Sequence, residues 1–224
     1  MWLFLCLKLR HSPLTKLAKS RHGGFMKHLA LIAALTVIPV LSACGDKRPN
    51  VILQTEMGAI EIEVYKDKAP ASAADFLYYV DNGLYDNQGF YRVVREDNDP
   101  QEMGMAIIQG GRLDTLPLTA GIAHERTTET GLSNSAGTVA IARDTPGSGS
   151  AAYFFINVGD NPFLDTGGKR NPDGEGYAAF GRIISGMDVV NQIQRSDVRA
   201  ETAGGVTAGQ VLTKPVKIMR AYRK

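Results

Sequence analysis

The sequence predicts a mainly β protein, a closed or nearly closed barrel with helical caps, on two observations. Eight short segments rich in β-branched and aromatic residues follow one another between loops rich in Gly and Pro. Only two stretches show helical spacing. Many short strands with few helices bury their apolar faces by closing on themselves. No internal repeat of fixed period occurs, and no domain boundary shows inside residues 50–224.

The first strand covers residues 51–55, and Glu56-Met57-Gly58 forms a turn. The run Ile60-Glu61-Ile62-Glu63-Val64 then alternates strictly, which puts Ile60, Ile62 and Val64 on one face and both glutamates in water. A helix opens at Pro70. Ser72 is its expected N-cap, and Asp75, three residues on, completes a capping box. Ala73, Phe76, Leu77 and Val80 fall on one stripe, and Gly83 can supply the left-handed residue that ends the helix. Further strands are expected over residues 90–94, 106–109, 138–142, 153–158, 178–183 and 216–221, with a second helix over 187–194.

The chain has 224 residues, 44% hydrophobic and 21% charged, which suits one folded domain. Its formal charge of +2 comes from the front. Residues 1–43 hold six of the 25 basic residues and none of the 23 acidic ones, so the remainder carries 19 against 23, a net of −4. Nucleic acid is therefore not an expected partner. Cys6 and Cys44 lie outside the globular part, and His124 is the one histidine beyond residue 28. Neither a disulfide nor a metal centre is expected.

The front end has the layout of an export signal. Met26-Lys27-His28 precedes an apolar stretch from Leu29 to Ala43 that contains Pro39 and ends in small residues. Fifteen residues are short for a bilayer span, which needs about 20. Leu41-Ser42-Ala43-Cys44 resembles the lipobox of bacterial lipoproteins, which implies cleavage before Cys44, lipidation of that cysteine and a membrane tether facing the periplasm. Gly45 rather than Asp after the cysteine favours the outer membrane. An uncleaved anchor is the alternative. The expected organisation is a leader over 1–43, of which 1–25 reads as a start assigned too early, a lipidated linker over 44–50, and one domain over 51–224.

Several motifs lack the context that their chemistry needs. Gly147-Ser148-Gly149-Ser150-Ala151-Ala152 fits a dinucleotide fingerprint, but a strand follows it where a helix should. Asp97-Asn98-Asp99 has neither the Gly nor the terminal Glu of a calcium loop and is expected to be a solvated insert. No G-x-S-x-G elbow occurs. No cofactor is expected.

Two apolar-aromatic regions say more. One runs Phe90-Tyr91-Arg92-Val93-Val94, with Ile107-Ile108-Gln109-Gly110-Gly111 downstream. The other holds Ala140-Ile141-Ala142-Arg143, Tyr153-Phe154-Phe155-Ile156, Phe163-Leu164-Asp165 and Tyr177-Ala178-Ala179-Phe180-Gly181. Residue type alone leaves Arg92 open between a snorkelling side chain and one aimed into a cleft. In order and spacing these segments resemble the cyclophilin signature, across about residues 50–222.

The resemblance implies a closed eight-stranded antiparallel barrel capped by two α-helices. It implies peptidyl-prolyl cis-trans isomerisation of proline-containing polypeptide clients, here exported ones, by a monomer. Arg92 matches the family's catalytic arginine and Gln109 its supporting glutamine. Phe90, Ile107, Ala142, Arg143, Tyr153, Phe155, Phe163, Leu164 and Tyr177 match residues of the substrate cleft. Departures are Ala106 for a pocket Phe, Tyr153 for Gln, and about nine extra residues near 95–105. These motivate the alternative of a barrel that binds proline segments without turnover.

Overall fold

The computed structural model describes residues 48–114, 120–199 and 207–224. All of them fall in one compact unit, Gly45–Lys224. Cys44 and the leader lie outside the described residues.

The first strands are β1 (Asn50–Thr55), β2 (Gly58–Val64), β3 (Gly89–Val94) and β4 (Ile107–Gly111). The others are β5 (Thr138–Ile141), β6 (Tyr153–Asn157), β7 (Ala179–Ser185) and β8 (Val211–Arg223). They close into an antiparallel barrel in the order β1-β2-β7-β5-β6-β4-β3-β8. The expected helices are α1 (Pro70–Asp81) and α3 (Met187–Gln194). A third, α2 (Thr127–Thr130), is a four-residue turn too short for periodicity to reveal.

Alternation in β2 buries Ile60, Ile62 and Val64 as expected. From α1, Phe76 enters the core among Tyr85, Phe154 and Phe180, at ring-centroid distances of 5.5, 5.7 and 4.9 Å. In β4 the pair Gly110-Gly111 has a steric cause. A Cβ on Gly110 would stand 2.6 Å from the Phe90 ring, and one on Gly111, at φ +133°, 2.0 Å from the Ala152 carbonyl oxygen.

The capping box at α1 does not form. Pro70, whose ring presets a helical φ, starts the helix two residues before Ser72, which lies inside it. The free amides of Ala71 and Ser72 donate instead to the two carboxylate oxygens of Glu125, at 2.9 and 2.8 Å. A distant carboxylate thus serves both the orphan donors and the positive end of the helix dipole. Asp75 accepts from the Ser150 hydroxyl and the Ala151 amide, at 2.9 and 2.7 Å.

Strand β8 is more than twice as long as expected. The strand expected over 216–221 begins just after Pro215, and a proline cannot donate to a ladder. Here Phe90 pairs with Val216 and Arg92 with Val211, so residues 212–215 form a bulge that accommodates the proline.

Candidate active site

The site begins with an irregularity in β3. Phe90 pairs with Gly110, but Arg92 rather than Tyr91 pairs with Gln109, so β3 carries one extra residue against β4. Neighbours on a regular strand point to opposite faces. With the bulge, Tyr91 and Arg92 both border one groove. The row continues from Gln109 to Phe155 on β6. Alternation places Ile107 and Tyr153 on that same face, while Ile108, Phe154 and Ile156 turn into the core, fully buried. The groove has a volume of about 1100 Å³.

Two carboxamides bracket the Arg92 guanidinium. Nη1 donates to Oε1 of Gln109 at 2.7 Å, and Nε and Nη2 both donate to Oε1 of Gln210, at 2.9 and 2.6 Å. Gln109 is fixed in turn by its Nε2, which donates to the Tyr91 hydroxyl at 2.9 Å. Burial pushes the Arg92 guanidinium down from its ordinary value, against the opposing effect of nearby Tyr91. Burial likewise pushes Tyr91 up to about 12, so its hydroxyl keeps its proton. Arg92 does not snorkel; its head is held.

The rest of the rim comes from loops. Tyr177 meets Phe155 edge-on, with centroids 5.3 Å apart and planes at 88°. The Arg143 guanidinium lies 5.3 Å from the Tyr177 ring centroid. Arg143 also donates to both oxygens of Asp173, at 2.8 and 3.0 Å, and to the Gly176 carbonyl at 2.7 Å. These contacts bury its side chain to 2% exposure. The Arg143 hydrogen bonds hold the Asp173 carboxyl down at about 2.

The stretch around 97–99 is only partly the solvated insert expected. Asp97 is exposed, but Asp99 is buried and bound to Arg170 at 2.7 Å, as well as to the amides of Gln101, Met103 and Met105. Burial alone would raise the Asp99 carboxyl. Its hydrogen bonds to Arg170 and to the amides of Met105 and Gln101 outweigh that and lower it. The insert borders the groove with Pro100, Gln101 and Met105, and leaves it open.

Of the expected site residues, Arg92, Gln109, Ile107, Ala142, Arg143, Tyr153, Phe155, Leu164 and Tyr177 come together in this groove. Phe90 does not. It is fully buried and packs T-shaped on Phe154, on the core side of the bulge. Phe163 does not line the groove either. The 3-10 turn Pro162–Leu164 presents Leu164 to it and leaves Phe163 half-buried against the core.

A model of the family "Cyclophilin type peptidyl-prolyl cis-trans isomerase/CLD" matches residues 50–223. The chain belongs to the cyclophilin family. A peptidyl-prolyl cis-trans isomerase of Acinetobacter baylyi is 39% identical over 189 residues, 83% of this chain and 90% of that protein. Peptidyl-prolyl cis-trans isomerase A of Dickeya dadantii is 34% identical over 198 residues, 85% and 95% of the two chains. A crystal structure of a cyclophilin type isomerase from Cryptosporidium parvum shares the fold, with a TM-score of 0.61 at 18% identity, covering 79% of this chain and 98% of that one. As a cyclophilin, the protein is a peptidyl-prolyl cis-trans isomerase whose substrates are proline-containing polypeptides.

This cyclophilin's site also involves residues that the sequence did not single out, most of them lining the groove and one, Gln210, buried behind Arg92. Tyr91 escaped because strict alternation sends it to the face opposite Arg92, and a bulge leaves no mark in the pattern. Gln210 lies 118 positions from Arg92, with no period or motif joining them. Arg170, Asn171 and Pro172 sit in a loop whose composition reads as a plain turn region.

Proposed function

We propose that this cyclophilin works through Arg92, whose guanidinium stabilises the twisted X-Pro amide, with Gln109 holding it in register. The observation that carries this is the bracketed guanidinium at the edge of an apolar groove. Amide resonance opposes rotation by about 18–20 kcal/mol. At the twisted point resonance is lost and the prolyl nitrogen gains a usable lone pair. A donor aimed there binds the twisted form better than either planar form, and that difference is what accelerates the reaction.

Arg92 retains donors for the task. A guanidinium has five N–H bonds, of which the two glutamines take one on each nitrogen, leaving one on Nη1 and one on Nη2. Low dielectric strengthens what those donors do. Phe155, Ile107 and Leu164 offer an apolar seat for the prolyl ring, so that the acyl side turns against a fixed partner. Shortening tens of seconds to milliseconds needs about ten-thousandfold, roughly 5.5 kcal/mol. Preorganised electrostatics together with positioning reach that size.

The test is exchange NMR on an X-Pro peptide with the purified protein. Wild type should show exchange cross-peaks, and Arg92→Ala should lose most of the rate. Arg92→Ala at the wild-type rate would sink the Arg92 mechanism.

We further propose that the clients are exported polypeptides, met at a membrane to which Cys44 tethers the enzyme. The support is Leu41-Ser42-Ala43-Cys44 behind an apolar stretch with a basic head. Growth with a labelled fatty acid should mark the protein and leave Cys44→Ser unmarked. An unlabelled wild type would rule out the lipid tether.

A further inference from the structure

We infer that Gln210 is a positioning residue for the isomerisation, orienting the Arg92 guanidinium, and that the insert around residues 95–105 holds Gln210 in place. This rests on the reading of Arg92 given under the proposed function.

A guanidinium on a three-carbon stem has several rotatable bonds. A donor that must meet a pyramidal nitrogen works only when held within about half an ångström of its target geometry. Gln210 is fully buried, and its single side-chain oxygen accepts from both Nε and Nη2 of Arg92. One acceptor shared by those two nitrogens fixes the plane of the group. Gln109 takes Nη1 from β4, so the guanidinium is gripped from β4 on one side of β3 and from the turn that leads into β8 on the other.

That the gripping groups are amides rather than carboxylates has a consequence. A carboxylate would orient the guanidinium and also offset its charge. An amide sets direction and leaves the whole charge for the twisted amide of the client.

Gln210 has no freedom of its own. Its Nε2 donates to the Asn98 carbonyl at 2.8 Å, and its main-chain oxygen accepts from the Val93 amide at 2.9 Å. Because the Asn98 carbonyl can only accept and the Arg92 nitrogens can only donate, the Gln210 amide has one satisfied orientation. Asn98 belongs to the 3-10 turn Glu96–Asn98 inside the insert. Its side chain accepts from the Arg95 amide at 2.7 Å and donates to the Gly209 carbonyl at 3.0 Å. A continuous set of hydrogen bonds therefore runs from the insert, through Gln210, to Arg92.

Gln210→Met keeps the length of the side chain and deletes both amide functions. Exchange NMR should show kcat reduced about tenfold with KM nearly unchanged, the mark of an interaction made at the twisted state. The Arg92 Nε–H signal, shielded by Gln210 in the parent, should begin to exchange rapidly with water. A folded Gln210→Met protein with the parent's kcat, beside an impaired Arg92→Ala, overturns this inference alone. A full-rate Arg92→Ala overturns the reading of Arg92 and this inference with it. Should Gln210→Met not fold, Asn98→Ala decides. It loosens the turn without touching the groove, and kcat should fall roughly threefold with KM held. An unchanged kcat there counts against the inference.

Discussion

Arg170 donates from Nη1 to Oδ1 of Asp99 at 2.7 Å, with the two side chains only 9% and 0% exposed. The pair joins the insert to the loop after the 3-10 turn Pro162–Leu164, and Arg170 lines the groove. Removing one partner leaves the other an uncompensated buried charge. Asp99→Ala should cost about 3–5 kcal/mol in urea denaturation, and limited proteolysis should then cut within residues 95–105.

The same carboxylate predicts an acid dependence. Its folded pKa lies below the ordinary 3.8, so it contributes stability that is full above that value. The contribution fades as pH falls through the lowered folded value. Asp99→Asn should therefore flatten the acid limb of a plot of stability against pH. An acid limb as steep as in the parent would show that the pair is not its source.

Glu125 caps α1 from 54 residues away. Its loss frees two amides and the Ser72 hydroxyl at a helix end. Glu125→Ala should lower stability by about 1–2 kcal/mol, as for a lost N-cap. Asp75→Ala should act through the Ser150–Ala151 turn and leave the helix N-terminus unaffected, which amide exchange at Ala71 and Ser72 distinguishes.

Phe155 is the apolar member of the Arg92–Gln109–Phe155 row, 3% exposed and braced by Tyr177. Phe155→Ala should lower kcat/KM by roughly ten- to hundredfold, the worth of about 1.5–3 kcal/mol of apolar contact. Most of the change should sit in KM if the ring only seats the proline. Titration of a proline peptide followed by exchange NMR separates the two terms.

Arg92 stays charged because a guanidinium keeps its proton in proteins, and Tyr91 stays neutral because burial carries it up to about 12. Neither change of state falls between about pH 6 and about pH 9. The turnover rate should therefore be level across that window. A bell-shaped profile would mean that a titrating group takes part.

Strand alternation made much of the barrel legible. Ile60, Ile62 and Val64 in β2 are buried as their spacing demands, and α3 has the bounds that its pattern gives. What the pattern could not carry was anything that breaks it. The extra residue at Tyr91, the bulge at 212–215 and the carboxylate that caps α1 from afar are long-range or aperiodic. Motif order named nine of the residues that line the groove, and Phe90 shows its limit. Phe90, two residues before Arg92, would share its face under strict alternation, and it faces the core because the bulge at Tyr91 breaks that alternation. Gln210 had no local signal at all, since its partner is supplied by tertiary structure.

The seam between β1 and β8 joins the first strand to the last, Val51 opposite Arg223. During synthesis such a cylinder stays unzipped until its final stave leaves the ribosome, with the margins of β1 and β3 bare meanwhile. A nascent copy stalled before residue 211 would hold seven staves of eight, a sticky open shell itself in need of a chaperone.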